Sequence, residues 1–97
     1  MAVAVIMDFE GATLDQYDEV MQKMGLVKGA PGPAGALFHW VTGTDGGIKV
    51  TDVWEDKATF EAFAADHIGP AAAAAGVPGA PTITYEDVHN YQTPAGD

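Results

Sequence analysis

Asp45-Gly46 stands between two β-rich runs, Ala36–Thr44 and Gly47–Glu55, and fixes the centre of the chain. Asp-Gly between such runs is a strong hairpin signal, because both residues accept the backbone angles of a tight turn. Two antiparallel strands therefore sit mid-chain, and the rest must fold around them. Upstream, Met1–Phe9 is dense in Val, Ile and Ala and predicts a strand that is apolar on both sides. Thr13 opens a helix, and Gln16 three residues on completes a capping box. Leu14, Tyr17, Val20, Met21 and Met24 make its apolar stripe, and Gly25 falls where a helix ends. Downstream, Asp56 caps a second helix with the stripe Phe60, Phe63, Ala64, His67 and Ile68. Gly69-Pro70 is expected to interrupt it, leaving Pro70–Ala75 as one short extra turn before Gly76. Pro81–Tyr91 predicts the last strand, and Gln92–Asp97 a polar tail.

The order is strand, helix, strand, strand, helix, strand. This is the split βαβ, ferredoxin-like arrangement, an α+β fold with a four-stranded antiparallel sheet and both helices on one face. The 97 residues make one domain, 1–97, with no room for a second. A chain of this size buries only about 60–65% of its unfolded surface, so the core is thin. Val3, Val5, Met7 and Phe9 point to one side of the first strand, Ala4 and Ile6 to the other. Both sides are apolar, so the helix-free face is expected to meet a second copy, as a homodimer. The loop Gly25–Gly35 is long for so small a domain and reads either as a lid or as a plain spacer.

Charge excludes several partners. The net charge is −10, and the four bases are all Lys (Lys23, Lys28, Lys49, Lys57). Such a chain repels nucleic acid and anionic membranes. Without Arg it also lacks the usual bidentate clamp, which disfavours nucleotides, coenzyme A and phosphorylated ligands. There is no Cys, hence no disulfide and no thiol nucleophile. His39, His67 and His89 lie on different elements with no helical zinc spacing, so neither a metal nor a cofactor is expected. No apolar run reaches the roughly 20 residues that span a membrane. Met1–Met7 has no basic n-region and does not read as a signal peptide, so a cytoplasmic location is the default expectation.

A few residues could carry chemistry. His67 lies on the apolar stripe of the second helix and is expected to face the sheet, as a general base, a haem ligand or a hydrogen-bonded core residue. Asp52 and Trp54 share one face of the third strand with Ile48 and Val50. An acid there needs a partner or sits at the rim, and it could serve as a base or hold a His in one tautomer. Trp54, Phe60 and Phe63 read as core or cavity wall. His39 and Trp40 are adjacent, so one faces the helices and the other the open side. Tyr85 on the last strand and Tyr17 on the first helix could line a pocket or simply pack.

The stretch from Thr51 to Phe63, with Trp54-Glu55 closing a strand before a short capped helix, resembles a known family. His67-Ile68-Gly69-Pro70 and Val88-His89-Asn90-Tyr91 add to the likeness. The chain is similar to the dimeric α+β barrel superfamily, and within it to small antibiotic-biosynthesis-monooxygenase-like proteins. The resemblance implies two sheets joined across a two-fold axis and a pocket between helices and sheet in each subunit. It also implies a pocket-facing His67 and a pocket-wall Trp54. Family monooxygenases use an Asn, a Trp and a basic residue; this chain matches only the Trp, has no Arg, and carries its one Asn, Asn90, near the end of the last strand. The expected function is binding of an apolar, aromatic or polyketide-like small molecule, with cofactor-independent monooxygenase-like or His/Tyr-assisted cyclase or isomerase chemistry. His67 would be the acid/base, supported by Asp52 or a Tyr, with Trp54, Phe60, Phe63, Tyr85, His39 and Tyr17 around the ligand. The alternative is a non-catalytic ligand-binding or stress-associated dimer.

Overall fold

The structure is a computed structural model that describes residues 1–93. The end of the expected tail, residues 94–97, lies outside the described residues. The elements run β1 Val3–Glu10, α1 Leu14–Lys23, β2 Ala36–Thr44, β3 Gly47–Trp54, α2 Lys57–Phe63, α3 Gly69–Ala74 and β4 Thr82–Asp87. A π-helical turn, Ala64–Ile68, joins α2 to α3. The sheet order is β2-β3-β1-β4, and every neighbouring pair is antiparallel. This is the ferredoxin-like βαββαβ fold expected from the element order.

Local chemistry sets the element ends. Thr13 accepts from the Gln16 backbone N–H at 3.1 Å, and the Gln16 side chain accepts from the Thr13 N–H at 3.0 Å, closing the capping box. At the other end of α1, Gly25 has φ 74° and donates to Gln22, while Leu26 donates to Met21. These paired bonds satisfy carbonyls that the helix would otherwise orphan. Asp56 caps α2 through the Thr59 N–H at 2.7 Å, and that bond holds its carboxyl below the ordinary carboxylate value.

Two expectations change. Gly69-Pro70 does not break the second helix. The Gly69 N–H reaches back to the Ala64 carbonyl in one wide turn, and Pro70, which has no N–H to place, enters the first turn of α3. β4 is also shorter than expected and stops at Asp87. It pairs only with β1, from Asp8 opposite Thr82 to Val3 opposite Asp87. After Val88 donates to the Ala2 carbonyl, β1 has no further partner to offer. His89 and Tyr91 therefore lie beyond the strand and are exposed.

The core lies between sheet and helices. Val3, Val5, Met7 and Phe9 of β1 meet Ile48, Val50 and Trp54 of β3 and Phe60 of α2. Each such side chain contributes about 1.5–3 kcal/mol when fully buried. The opposite face of the sheet carries Ile6, Phe38, Trp40 and Val53. Phe38 and Trp40 stand edge to face with ring centres 5.9 Å apart, and Trp40 is 47% exposed. No helix among the described residues is long and apolar enough to cross a membrane.

Candidate functional site

The hairpin register builds the site. From Thr44 back to Phe38, before a bulge at Leu37, β2 pairs with β3 residue for residue about the Asp45-Gly46 turn, which puts His39 opposite Asp52 on the helix-facing side of the sheet. Trp54 follows Asp52 on the same face, and α1 lays Tyr17 over His39. The four side chains form one hydrogen-bonded chain. The Trp54 Nε1–H donates to Asp52 Oδ2 at 2.9 Å. Asp52 Oδ1 lies 2.5 Å from His39 Nδ1, and His39 Nε2 lies 2.5 Å from the Tyr17 hydroxyl. Asp52 is buried, at 5% exposed, and both its oxygens are partnered. A carboxylate so held accepts from both neighbours, as buried acids require.

The chain of bonds opens into a cavity of about 1050 Å³ between β2, β3, α1 and the 26–33 loop. Met7, Phe9, Ile48, Val50 and Phe63 give it apolar walls. Its titratable lining is limited to Tyr17, Asp18, Lys28, His39 and Asp52. Burial, with Asp52 and then Asp18 nearby, pushes the Tyr17 hydroxyl above 10.0, the ordinary tyrosine value. Tyr17 therefore keeps its proton at neutral pH. Lys28 in the loop pairs with Asp18 on α1 at 2.9 Å and tethers the loop to the helix at the cavity wall. Among the described residues no group of three His, Cys, Asp or Glu could hold a metal ion.

Of the residues singled out in the sequence, Tyr17, His39, Asp52, Trp54 and Phe63 line the cavity. Phe60 and Tyr85 do not. Phe60 is buried behind Trp54, with ring centres 5.6 Å apart, and Tyr85 packs on Phe60 from β4 under the Lys57 ammonium. His67 also falls outside the cavity. It is exposed rather than facing the sheet, and its ring leans on Phe63 at 5.1 Å. The π turn is the physical reason. One extra residue in the turn rotates the stripe, so Ile68 keeps to the cavity and His67 turns out.

His39 is the histidine that meets the acid, and a sequence signal for it exists. His39 stands six residues before Asp45, and Asp52 six residues after Gly46. A two-residue hairpin pairs residues equidistant from its turn, so these two must be cross-strand neighbours. Nothing in the sequence brings Tyr17 to them, since α1 reaches β2 only through tertiary packing.

No family model matches the chain, and no curated protein matches it. A solved structure does. It is a Deinococcus radiodurans protein described as a candidate antibiotic biosynthesis monooxygenase, 14% identical, with a TM-score of 0.60. The match covers 99% of this chain and 100% of that one. At this identity the likeness is one of fold, and the chain shares the small four-stranded α+β fold of that protein.

Proposed function

We propose that this protein is a cofactor-independent enzyme. It takes a neutral aromatic or polyketide-like small molecule into the cavity and moves a proton with the Tyr17–His39–Asp52 chain. The observation that carries this reading is His39 held at 2.5 Å on both sides, by Asp52 and by the Tyr17 hydroxyl, on the wall of an apolar cavity. Asp52 fixes the imidazole and stabilises its protonated form, and His39 is the base that the expectation had put at His67. Positioned general bases contribute about 10²- to 10⁴-fold. The chemistry served is removal of a weakly acidic proton, the first step of an aldol cyclisation, an isomerisation, or oxygenation of a phenol anion. The description of the Deinococcus protein is consistent with the last of these. We further propose that two copies pair through the face bearing Phe38 and Trp40, which are 37% and 47% exposed.

The test screens phenols, naphthols, anthrones and short polyketide mimics by thermal shift, then measures oxygen uptake and product for each ligand found. A ligand at 100 times its Kd adds about 2.7 kcal/mol, a shift of several degrees for this domain. The expected result is turnover in the wild type, loss of at least about a hundredfold in His39→Gln, and binding kept in both. Binding without turnover in the wild type would make the protein a non-catalytic binder. No binding at all would reject the reading. Sedimentation of wild type and Trp40→Lys tests the dimer, which the charge should split.

A further inference from the structure

The direction of the hydrogen bonds has a consequence for what the cavity accepts. The Trp54 indole N–H can only donate, so Asp52 must accept from it. With Asp52 as the carboxylate, its second oxygen accepts from His39 Nδ1–H, which leaves Nε2 as a lone pair. The Tyr17 hydroxyl must then donate to Nε2, and its proton is no longer free for a ligand. What Tyr17 offers the cavity is the lone pairs of its oxygen. We propose that Tyr17, set by Trp54 through Asp52 and His39, is the specificity-determining residue: the cavity selects neutral ligands that donate an O–H over isosteres that only accept, and a second proton on His39 removes that preference.

The loss of preference follows from the same atoms. An imidazolium donates from both nitrogens, so Nε2–H now donates to the Tyr17 oxygen. The Tyr17 O–H turns toward the cavity and becomes a donor, which suits a carbonyl or an ether. The groups that face His39 are few. Asp52 comes from β3, Tyr17 and Asp18 from α1, and Lys28 from the loop, already paired with Asp18. The lining from β1, α2, the π turn and α3, namely Met7, Phe9, Phe63, Ile68 and Ala72, is apolar. The carboxylates of the lining are already engaged, Asp18 by Lys28 and Asp52 by His39 and Trp54. In the productive direction the ligand O–H gives its proton to the Tyr17 oxygen as the Tyr17 proton passes to Nε2. The products are a ligand anion and an imidazolium beside the Asp52 carboxylate, with no change in total charge.

This inference deepens the proposed function and rests on its cavity, but its test separates the two. The probes are 1-naphthol, which donates, and 1-methoxynaphthalene, which has the same ring and only accepts. Binding is measured by calorimetry at about pH 8 and about pH 5. The expected result is naphthol favoured by roughly tenfold at the higher pH, the worth of one net hydrogen bond, and the ether gaining on it at the lower pH. In Tyr17→Phe the discrimination should vanish at both values, with the ether binding at its wild-type strength at the higher pH and without its gain at the lower one. The wild-type comparison needs no variant, so it stands if Tyr17→Phe folds poorly. Equal binding of the two probes at both pH values would overturn the inference and leave the cavity and its base intact. Binding of neither probe would overturn both.

Discussion

Trp54 donates its indole N–H to Asp52 from two positions further along the same strand, at 2.9 Å, and both residues are buried. Side chains two apart on a strand share a face, so β3 itself supplies the acid with its partner. Trp54→Phe keeps an aromatic ring against Phe60 and Phe63 but leaves one buried carboxylate oxygen unpaired. The expected cost is about 2–3 kcal/mol, combining lost volume with the unpaired acceptor. Urea unfolding of the two proteins measures it, and a loss below about 0.5 kcal/mol would mean that water replaces the indole.

Asp52→Asn should reverse the hydrogen-bond chain at neutral pH without adding a charge. The Asn carbonyl still accepts from Trp54, and its amide now donates to His39 Nδ1. His39 must then carry its proton on Nε2 and donate to Tyr17. The expected outcome is loss of turnover and loss of the preference for 1-naphthol over 1-methoxynaphthalene that the wild type shows at about pH 8. An unchanged preference in the same calorimetry would show that the carboxylate does not set the direction.

Alkaline pH should destabilise the fold through two tyrosines. Burial and Asp52 raise Tyr17, and burial and Glu61 raise Tyr85, both from the ordinary 10.0. A raised group binds its proton more tightly in the folded state. Its stabilising effect is therefore complete below 10.0 and falls away as pH rises through the folded values. Unfolding free energy should hold level up to that point and decline beyond it, and Tyr17→Phe should flatten part of the decline. Absorbance titration of the phenolates checks the same shift directly.

Gly46 and Gly47 are neighbours with opposite tolerance. A Cβ on Gly46 meets nothing within 4 Å, whereas one on Gly47 would sit 2.0 Å from the Phe9 carbonyl oxygen, a backbone atom that cannot step aside. Gly46→Ala should change stability by less than about 0.5 kcal/mol. Gly47→Ala should cost about 3 kcal/mol or more, or prevent folding. Thermal melts of the two variants decide it, and equal melts would mean that the end of β1 can move.

The Lys28–Asp18 pair should matter for access rather than for stability. Its side chains are 71% and 46% exposed, and exposed pairs are worth little because water screens them. Lys28→Met is expected to leave unfolding within about 0.5 kcal/mol of the wild type. Hydrogen exchange of the 26–33 amides should rise, because the tether to α1 is gone. Unchanged exchange there would show that the loop is held by its apolar packing alone.

Spacing along the chain settles the local layer of this protein. Asp45-Gly46 set the hairpin and, through it, the His39–Asp52 pairing. Thr13 with Gln16, Gly25 and Asp56 set helix ends, and alternation put Ile48, Val50, Asp52 and Trp54 on one face. These features depend on neighbours a few residues apart or mirrored about one turn, so their physics is written in spacing. The tertiary structure decided the rest. A π turn moved His67 off the apolar stripe, because Pro70 could stay helical only if the turn before it widened. β4 ended where β1 ran out of partners. Tyr17 reached His39 across 22 positions of chain only once α1 had docked on the sheet. Gly47 differed from Gly46 only once the end of β1 lay against it. Each of these depends on atoms distant in sequence, and only the packed chain brings them within range.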